Sequence, residues 1–354
     1  MTQQVPPPPP PNFGPTYQVY QPPRKTGCVS GVFRGIFTAV ATVIFLGSLV
    51  LNVILLAAFA ANNGTGHLRS KNLRDGDPGT KIAVIPLEGM ITGETAKKFE
   101  HTLRDIQDDH DVKGLIVELD TPGGEVTASD EIYHAIERYK TKTNQKVVMQ
   151  MTQMAASGGY YVAAAGDYVM AEPTTWTGSI GVLMPQLDLT QFGDKYGVHD
   201  GSIHSSGADF KEVGSPLKPE TPEQKQYLLN LVDEAFARFK GVIVQGRQHA
   251  TNPLHGDINQ IANGKVYSSK DAYALGLIDD DNAYADDVYD EAAKLAGVSR
   301  PTVVKYDLQP TIWEMLTAKS NLSQVQSVNG VNVNVDANLM SGLLSPRLMY
   351  LCTK

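Results

Sequence analysis

The sequence predicts an α/β domain with a mainly parallel sheet, preceded by one transmembrane helix. Two observations lead to this fold class. An uncharged apolar stretch occupies residues 35–61. From Lys81 onward, short apolar runs rich in β-branched residues alternate with segments of helical periodicity. Strands and helices that alternate in this way are typical of a parallel sheet.

The composition narrows the classes of function. The chain has 354 residues, of which 42% are hydrophobic, so it can bury a core and is not disordered throughout. Its formal net charge of -8 argues against nucleic acid as a partner, because phosphate binding requires a basic face. The two cysteines, Cys28 and Cys352, are too few and too far apart for a disulfide framework or a zinc site. We expect no metal and no other cofactor.

Residues 1–34 are expected to form a proline-rich cytoplasmic tail. The unbroken run Pro6–Pro11 favours an extended polyproline II conformation, since proline restricts φ and lacks an amide donor. Such a run can bind a proline-recognising groove, but low-complexity sequence more often forms a flexible tail.

The apolar stretch 35–61 is expected to span the membrane. A spanning helix needs about 20 apolar residues, whereas the apolar part of a cleaved secretory signal has about 7–15. Three basic residues, Arg24, Lys25 and Arg34, precede the stretch. The positive-inside rule therefore predicts a cytoplasmic N-terminus and an extracytoplasmic domain at the plasma membrane.

The rest of the chain divides into a linker at 62–80, an α/β domain at 81–298 and a C-terminal tail or assembly segment at 299–354. Within this last segment, residues 329–342 are Asn-rich and alternating, which is compatible with one strand. Predicted strands cover 81–91, 112–120, 146–151 and 167–173. Predicted helices cover 96–109, 129–140 with Ser129 as N-cap, a short segment after Ala156, 223–247, and 269–280 before a last strand.

Three glycine-rich turns border these strands, where α/β folds build their sites. Residues 120–126 read DTPGGEV, which either aims backbone amides at an oxyanion or is only a turn. Ser157 lies between small residues at a strand-to-helix junction, as a nucleophile or as a plain N-cap. The third turn, TGSIGV at 177–182, precedes Lys211, which is a solvated charge unless burial makes it a general base.

The order of these turns is more specific than any one of them. DTPGGEVTAS, AASGGYYVAAAGD, TGSIGV and FKEVGSP follow one another, and NGKVYSSKDAYALGLID closes the series at 263–279. This order resembles peptidase family S49, the signal peptide peptidases, in its short single-repeat form. The resemblance covers residues 80–295 approximately, and it implies a ClpP/crotonase-like fold.

The resemblance also implies the roles of five residues. Ser157 would be the nucleophile and Lys211 the general base, without a catalytic histidine. Ser179 would orient the lysine amine, and the backbone amides of Gly124 and Gly158 would form the oxyanion hole. Many relatives have a second lysine shortly before the catalytic one, and this chain lacks it.

The function implied is that of a membrane-anchored serine endopeptidase. It would use a Ser/Lys dyad to degrade remnant signal peptides after their release from secreted preproteins. Short members of the family close into rings, so a homo-oligomer of about eight subunits is also implied.

Three other functions are compatible with parts of the sequence. A ClpP-like Ser-His-Asp triad would need His199 or His204, both in loop-like sequence. A catalytically silent membrane scaffold would not need the serine and lysine that are present. An acyl-CoA enzyme of the crotonase type is disfavoured, because the extracytoplasmic side lacks coenzyme A.

Overall fold

The computed structural model describes residues 28–62, 68–308, 327–328, 331–332 and 348–352. The chain divides into two compact units, residues 1–64 and 65–354. The run Pro6–Pro11 and most of the predicted strand at 329–342 lie outside the described residues.

The first unit contains helix α1, Cys28–Asn62. The helix begins within the segment expected to be tail, because the apolar pattern already starts before Arg34. Its stretch Arg34–Leu56 has a mean hydropathy of 2.5 and exposes its apolar side chains along its whole length. A helix of this length rises about 35 Å, which matches the hydrocarbon thickness of a bilayer. By length and composition, α1 can cross a membrane.

The second unit is built on one large sheet with small additions. Its strands are β1 Leu68–Arg74, β2 Asp77–Glu88, β3 Val112–Thr121, β4 Gly123–Glu125, β5 Val147–Ala156, β6 Tyr168–Ala171, β7 Trp176–Gly178, β8 Val266–Ser268, β9 Pro301–Leu308, β10 Ser327–Val328, β11 Val331–Asn332 and β12 Met349–Leu351.

Helices alternate with these strands through most of the unit. They are α2 Gly93–Gln107, α3 Val126–Thr143, α4 Gly158–Ala163, α5 Thr190–Tyr196, α6 Pro222–Arg247, α7 Ile258–Ile261, α8 Ser269–Ala274 and α9 Ala285–Ala296, with a 3₁₀ helix at Asp209–Glu212.

The large sheet has the strand order β1-β9-β2-β3-β5-β7-β8, and β6 also pairs with β5. Its central pairs are parallel, whereas β1 with β9 and β7 with β8 are antiparallel. The prediction of an α/β fold with a mainly parallel sheet is therefore confirmed. Strand β9 joins the sheet from outside the predicted range 81–298, since it pairs with β1 and β2.

The core lies on both faces of this sheet. In β2, Ile82 and Val84 face one side and pack with Val288 of α9, while Ala83 and Ile85 face the other side, towards α2 and α3. Strands buried on both faces are continuous apolar runs, which is why β2, β3 and β5 were recognisable from sequence.

Two local predictions are wrong. Ser129 is not an N-cap, because α3 starts directly after the glycine turn with Glu125 in the cap position. Ser129 is buried inside the helix and donates to the Glu125 carbonyl at 2.9 Å. The last strand does not directly follow the helix at 269–280, because helix α9 comes between α8 and β9.

Candidate active site

Ser157 lies in the tight turn between β5 and α4, in a conformation that non-glycine residues rarely adopt. Its φ is 54° and its ψ is -112°. The turn is held because the Ser157 amide donates to the Gly178 carbonyl at 2.7 Å, and the Ser157 carbonyl accepts from Tyr161 at 2.9 Å. Strain of this kind persists only where the surrounding structure enforces it, and it is concentrated at functional sites.

The Ser157 side chain is completely buried. Its Oγ has no hydrogen-bond partner among the residues that the structure describes. Buried hydroxyls are nearly always satisfied, so the unpaired Oγ sets Ser157 apart from ordinary buried serines.

Two glycines bring backbone amides next to this turn. A Cβ added at Gly123 would lie 2.7 Å from the Gly158 amide nitrogen, and one added at Gly158 would lie 3.2 Å from the Gly124 nitrogen. A Cβ at Gly124 would collide with the Ile91 carbonyl. Only glycine allows this close approach, so the backbone of Gly123 and Gly124 lies against that of Gly158, the residue after Ser157.

Ser179 directly follows Gly178, the residue of β7 that pairs with Ala156 of β5. Ala156 is opposite Gly178 in the parallel register of β5 and β7, so Ser157 and Ser179 are the next residues on the two chains. Ser179 is 7% exposed, has φ 49°, and donates its amide to the Lys265 carbonyl at 2.7 Å. The structure thus brings Ser157, Ser179, Gly124 and Gly158 together.

Lys211 is the predicted site residue that the structure does not bring to this group. It belongs to the 3₁₀ helix Asp209–Glu212 and is exposed to solvent. This helix is attached to α6, because Gln224 donates to the Asp209 carbonyl at 2.9 Å and the Phe210 ring contacts Tyr227. Since Ser157 Oγ has no partner among the described residues, the Lys211 amine is not within hydrogen-bond distance of it.

Neither candidate histidine contacts Ser157. His204 Nε2 lies 3.2 Å from Glu212 Oε1, and its Nδ1 lies 3.1 Å from the Ser205 carbonyl. His199 is exposed. Among the residues that the structure describes, neither His199 nor His204 is therefore paired with Ser157.

Strand β12, near the C-terminus, is part of the site and was missed by sequence reasoning. Tyr350 pairs with Gly124 of β4 in antiparallel register. On its other side, Met349 exchanges two backbone hydrogen bonds with Leu183, at 2.9 and 3.0 Å. An extended segment therefore lies between two backbone edges, next to the Ser157 turn. The only signal in the sequence was the short apolar run Leu348–Leu351, which is too short to identify as a strand.

Comparisons with known proteins agree with this geometry. The model of peptidase family S49 matches residues 139–299, and the Clp protease model matches residues 80–176, so Ser157 falls within both. The chain is 34% identical to a putative protease of Methanocaldococcus jannaschii, over 60% of this chain and 66% of the relative.

Two further relatives differ in length. A putative signal peptide peptidase SppA of Enterococcus faecium is 31% identical over 69% of this chain and 72% of its own length. Protease 4 of Haemophilus influenzae is 30% identical over 64% of this chain, but the match spans only 36% of that longer protein. The strained serine turn, the paired glycine amides and these similarities lead to one conclusion: the chain belongs to peptidase family S49 and is a serine peptidase.

Proposed function

We propose that this peptidase is anchored in the membrane by α1 and cleaves extended peptides, chiefly remnant signal peptides, with Ser157 as the nucleophile. The observation that carries the proposal is the Ser157 turn. Its hydroxyl is buried, has no hydrogen-bond partner among the described residues, and lies beside the amides of Gly124 and Gly158.

The conformation of β12 supports an extended substrate. A peptide that replaces β12 would add a strand to β4 and would bond to Leu183 on its other side, as extended peptides do at sheet edges. Most of the binding would come from backbone hydrogen bonds, so substrates need to be unfolded at the cleaved bond. Signal peptides released into a membrane meet this requirement once they are extended.

The proposed chemistry combines the four residues that the structure brings together with Lys211 as the base. Ser157 Oγ attacks the carbonyl carbon of the substrate and passes its proton to the Lys211 amine. The carbonyl oxygen becomes an oxyanion that accepts from the amides of Gly124 and Gly158. The protonated lysine then gives its proton to the leaving amine, and water hydrolyses the acyl-enzyme with the lysine again as base. Ser179 orients the amine.

We further propose that Lys211 reaches Ser157 from a second copy of the chain. A lysine amine accepts a proton only when it is neutral, and near pH 7 it becomes neutral only where water is excluded. The exposed 3₁₀ helix of a single chain does not exclude water, whereas an interface between copies does. Head-to-tail contacts of this kind close into rings, in agreement with an assembly of about eight subunits.

Mixing two inactive variants tests both proposals: the Ser157/Lys211 dyad and the supply of Lys211 by a second copy of the chain. Full-length Ser157→Ala and Lys211→Ala chains should each fail to hydrolyse an apolar fluorogenic peptide. If the base comes from the neighbour, the two variants co-assembled at equal amounts should recover about one quarter of wild-type activity, because one interface in four then combines an intact serine with an intact lysine.

The control for this experiment is a chain that carries both Ser157→Ala and Lys211→Ala, mixed with wild-type chains under the same conditions. Full activity of Lys211→Ala alone would refute the dyad. Inactivity of both variants, alone and mixed, would instead place serine and lysine in the same chain.

The membrane anchor is proposed from the length and apolar composition of α1. Anchoring raises the effective concentration of peptides that remain in the bilayer. The basic residues before α1 predict that the catalytic unit lies outside the cytoplasm. Protease added to wall-free cells should digest the second unit and spare an epitope at the N-terminus, and protection of the second unit would reverse this orientation.

A further inference from the structure

The hydroxyl group of Ser129 lies between the two turns that carry the proposed oxyanion amides. Ser129 belongs to α3 and is fully buried. Its Oγ donates to the carbonyl of Glu125, the residue after Gly124, at 2.9 Å. A Cβ added at Gly158 would lie only 2.5 Å from the same Oγ. The hydroxyl oxygen therefore occupies the space that the side chain of any other residue at position 158 would need.

The helix itself does not require this hydroxyl group. A serine that donates to the carbonyl four residues earlier in a helix slightly destabilises and often bends it, whereas alanine is the best helix former. Because Ser129 is fully buried, solvation does not explain its polar group either. What serine adds over alanine at this position is the bond to Glu125 and the contact with Gly158.

The Glu125 end of this connection is fixed to other parts of the domain. The Glu125 amide donates to the Ile91 carbonyl at 2.8 Å, and its carboxylate Oε2 accepts from the Gly93 amide at 3.2 Å. Gly93 is the first residue of α2, so this turn is anchored to the start of another helix. Ser129 therefore connects an anchored turn to the turn that contains Gly158.

We propose that Ser129 is a positioning residue for the oxyanion hole, and that it sets the separation of the Gly124 and Gly158 amides through its bond to Glu125 and its contact with Gly158. This inference rests on the proposed function, in which these two amides stabilise the oxyanion. Hydrogen bonds weaken steeply as their angle departs from linear, so a small displacement of either amide lowers the rate. Ser129 acts through the two amides and not by contact with the reacting atoms.

The full-length Ser129→Ala variant tests the inference by hydrolysis of the fluorogenic peptide. Its kcat should fall by about 10-fold with KM unchanged, because the amides bind the oxyanion more strongly than the carbonyl of the bound substrate. Its melting temperature should change little, since alanine suits the helix. Thr102→Val is the matched control and should keep the wild-type kcat. Thr102 is a buried residue of α2 whose hydroxyl also donates to the carbonyl four residues earlier, at 3.0 Å.

A peptide aldehyde separates loss of positioning from general damage. The hemiacetal that it forms with Ser157 places an oxygen atom where the oxyanion develops. Ser129→Ala should therefore weaken inhibition by the aldehyde by about 10-fold, in proportion to the loss of kcat. Inhibition by the matching peptide alcohol, which forms no hemiacetal, should be unchanged.

The substitution Gly158→Ala provides the complementary change. Alone it should lower kcat by about 10²-fold or more, because the added methyl group meets Ser129 Oγ. In the Ser129→Ala background the same substitution should lower kcat less, by a factor that is smaller by about 5-fold or more, since the colliding oxygen is gone. Effects that simply multiply would show that the two residues do not act on each other.

Hydrogen exchange in the Ser157→Ala background tests the connection without hydrolysis. Adding Ser129→Ala should speed exchange at the amides of Glu125 and Tyr161, which bond to the carbonyls of Ile91 and Ser157. A wild-type kcat for Ser129→Ala, multiplying effects in the double variant, or unchanged exchange would each overturn the inference. If exchange is faster but the wild-type chain cleaves no peptide, only the proposed function fails.

Discussion

The turn that carries Ser157 and the segment that carries Lys211 are positioned in different ways. The Ser157 amide is bonded to Gly178 of β7 and the Ser179 amide to Lys265, the residue before β8, and both serines are buried. Lys211 lies in a segment that exposes large apolar side chains, such as Ile203 at 96% and Phe192 at 53%. Apolar exposure of this extent is typical of surfaces that another molecule covers. Ser157 is thus positioned by its own sheet, whereas the proposed base, Lys211, would depend on contacts that the described residues of a single chain do not make.

The largest expected effect is on the nucleophile itself. Ser157→Ala should lower the rate of peptide hydrolysis by about 10⁴-fold or more. The melting temperature should not fall, since Ser157 Oγ makes no hydrogen bond to the described residues. Initial rates and thermal unfolding measure the two quantities. Ser206→Ala, at an exposed position, is the control, and peptidase activity retained by Ser157→Ala would exclude this serine.

The next largest effect is expected at the proposed oxyanion hole. Gly124→Ala should lower kcat by about 10²- to 10³-fold, because the added methyl group collides with the Ile91 carbonyl and displaces the amide. Gly201→Ala, which adds its methyl group to open space, should keep wild-type kinetics. A Gly124→Ala enzyme with normal kcat would show that this amide does not stabilise the oxyanion.

Two substitutions, each of which removes one charge, compare how much a buried ion pair and a solvent-exposed ion pair near Lys211 contribute to stability. Arg247 and Asp279 form a buried ion pair at 2.8 Å, so Arg247→Gln should lower the free energy of unfolding by about 3–5 kcal/mol. Lys218 pairs with Glu212 at 2.6 Å near Lys211, in contact with solvent. Lys218→Gln should change stability little. Urea unfolding followed by circular dichroism measures both, and equal losses would contradict the contrast.

A smaller effect on activity is expected at Ser179. If its hydroxyl orients the lysine amine, Ser179→Ala should lower kcat by about 10- to 100-fold and leave KM unchanged. A rise in KM with unchanged kcat would assign Ser179 to substrate binding instead.

No effect is expected at the histidine beside Lys211. His204 contacts Glu212 and the Ser205 carbonyl, so His204→Ala should keep the wild-type rate. A loss of hydrolysis as large as that of Ser157→Ala would support a Ser-His-Asp triad with His204 instead of the Ser/Lys dyad.

The amino-acid sequence by itself determined the α/β class and the order of the central strands and helices, because buried strands are continuous apolar runs. Local signals at strand ends pointed only to glycine-rich turns, and the candidates Ser157, Ser179, Gly124 and Gly158 came from the resemblance that the order of those turns implies. The tertiary structure decided three other features. Strand β1 is polar and joins the sheet only by pairing with β9, so its sequence has no strand pattern. Strand β12 lies beside Gly124 through pairing between residues more than two hundred positions apart. The exposure of Lys211 depends on where its 3₁₀ helix packs against α6, and no spacing along the chain encodes that contact.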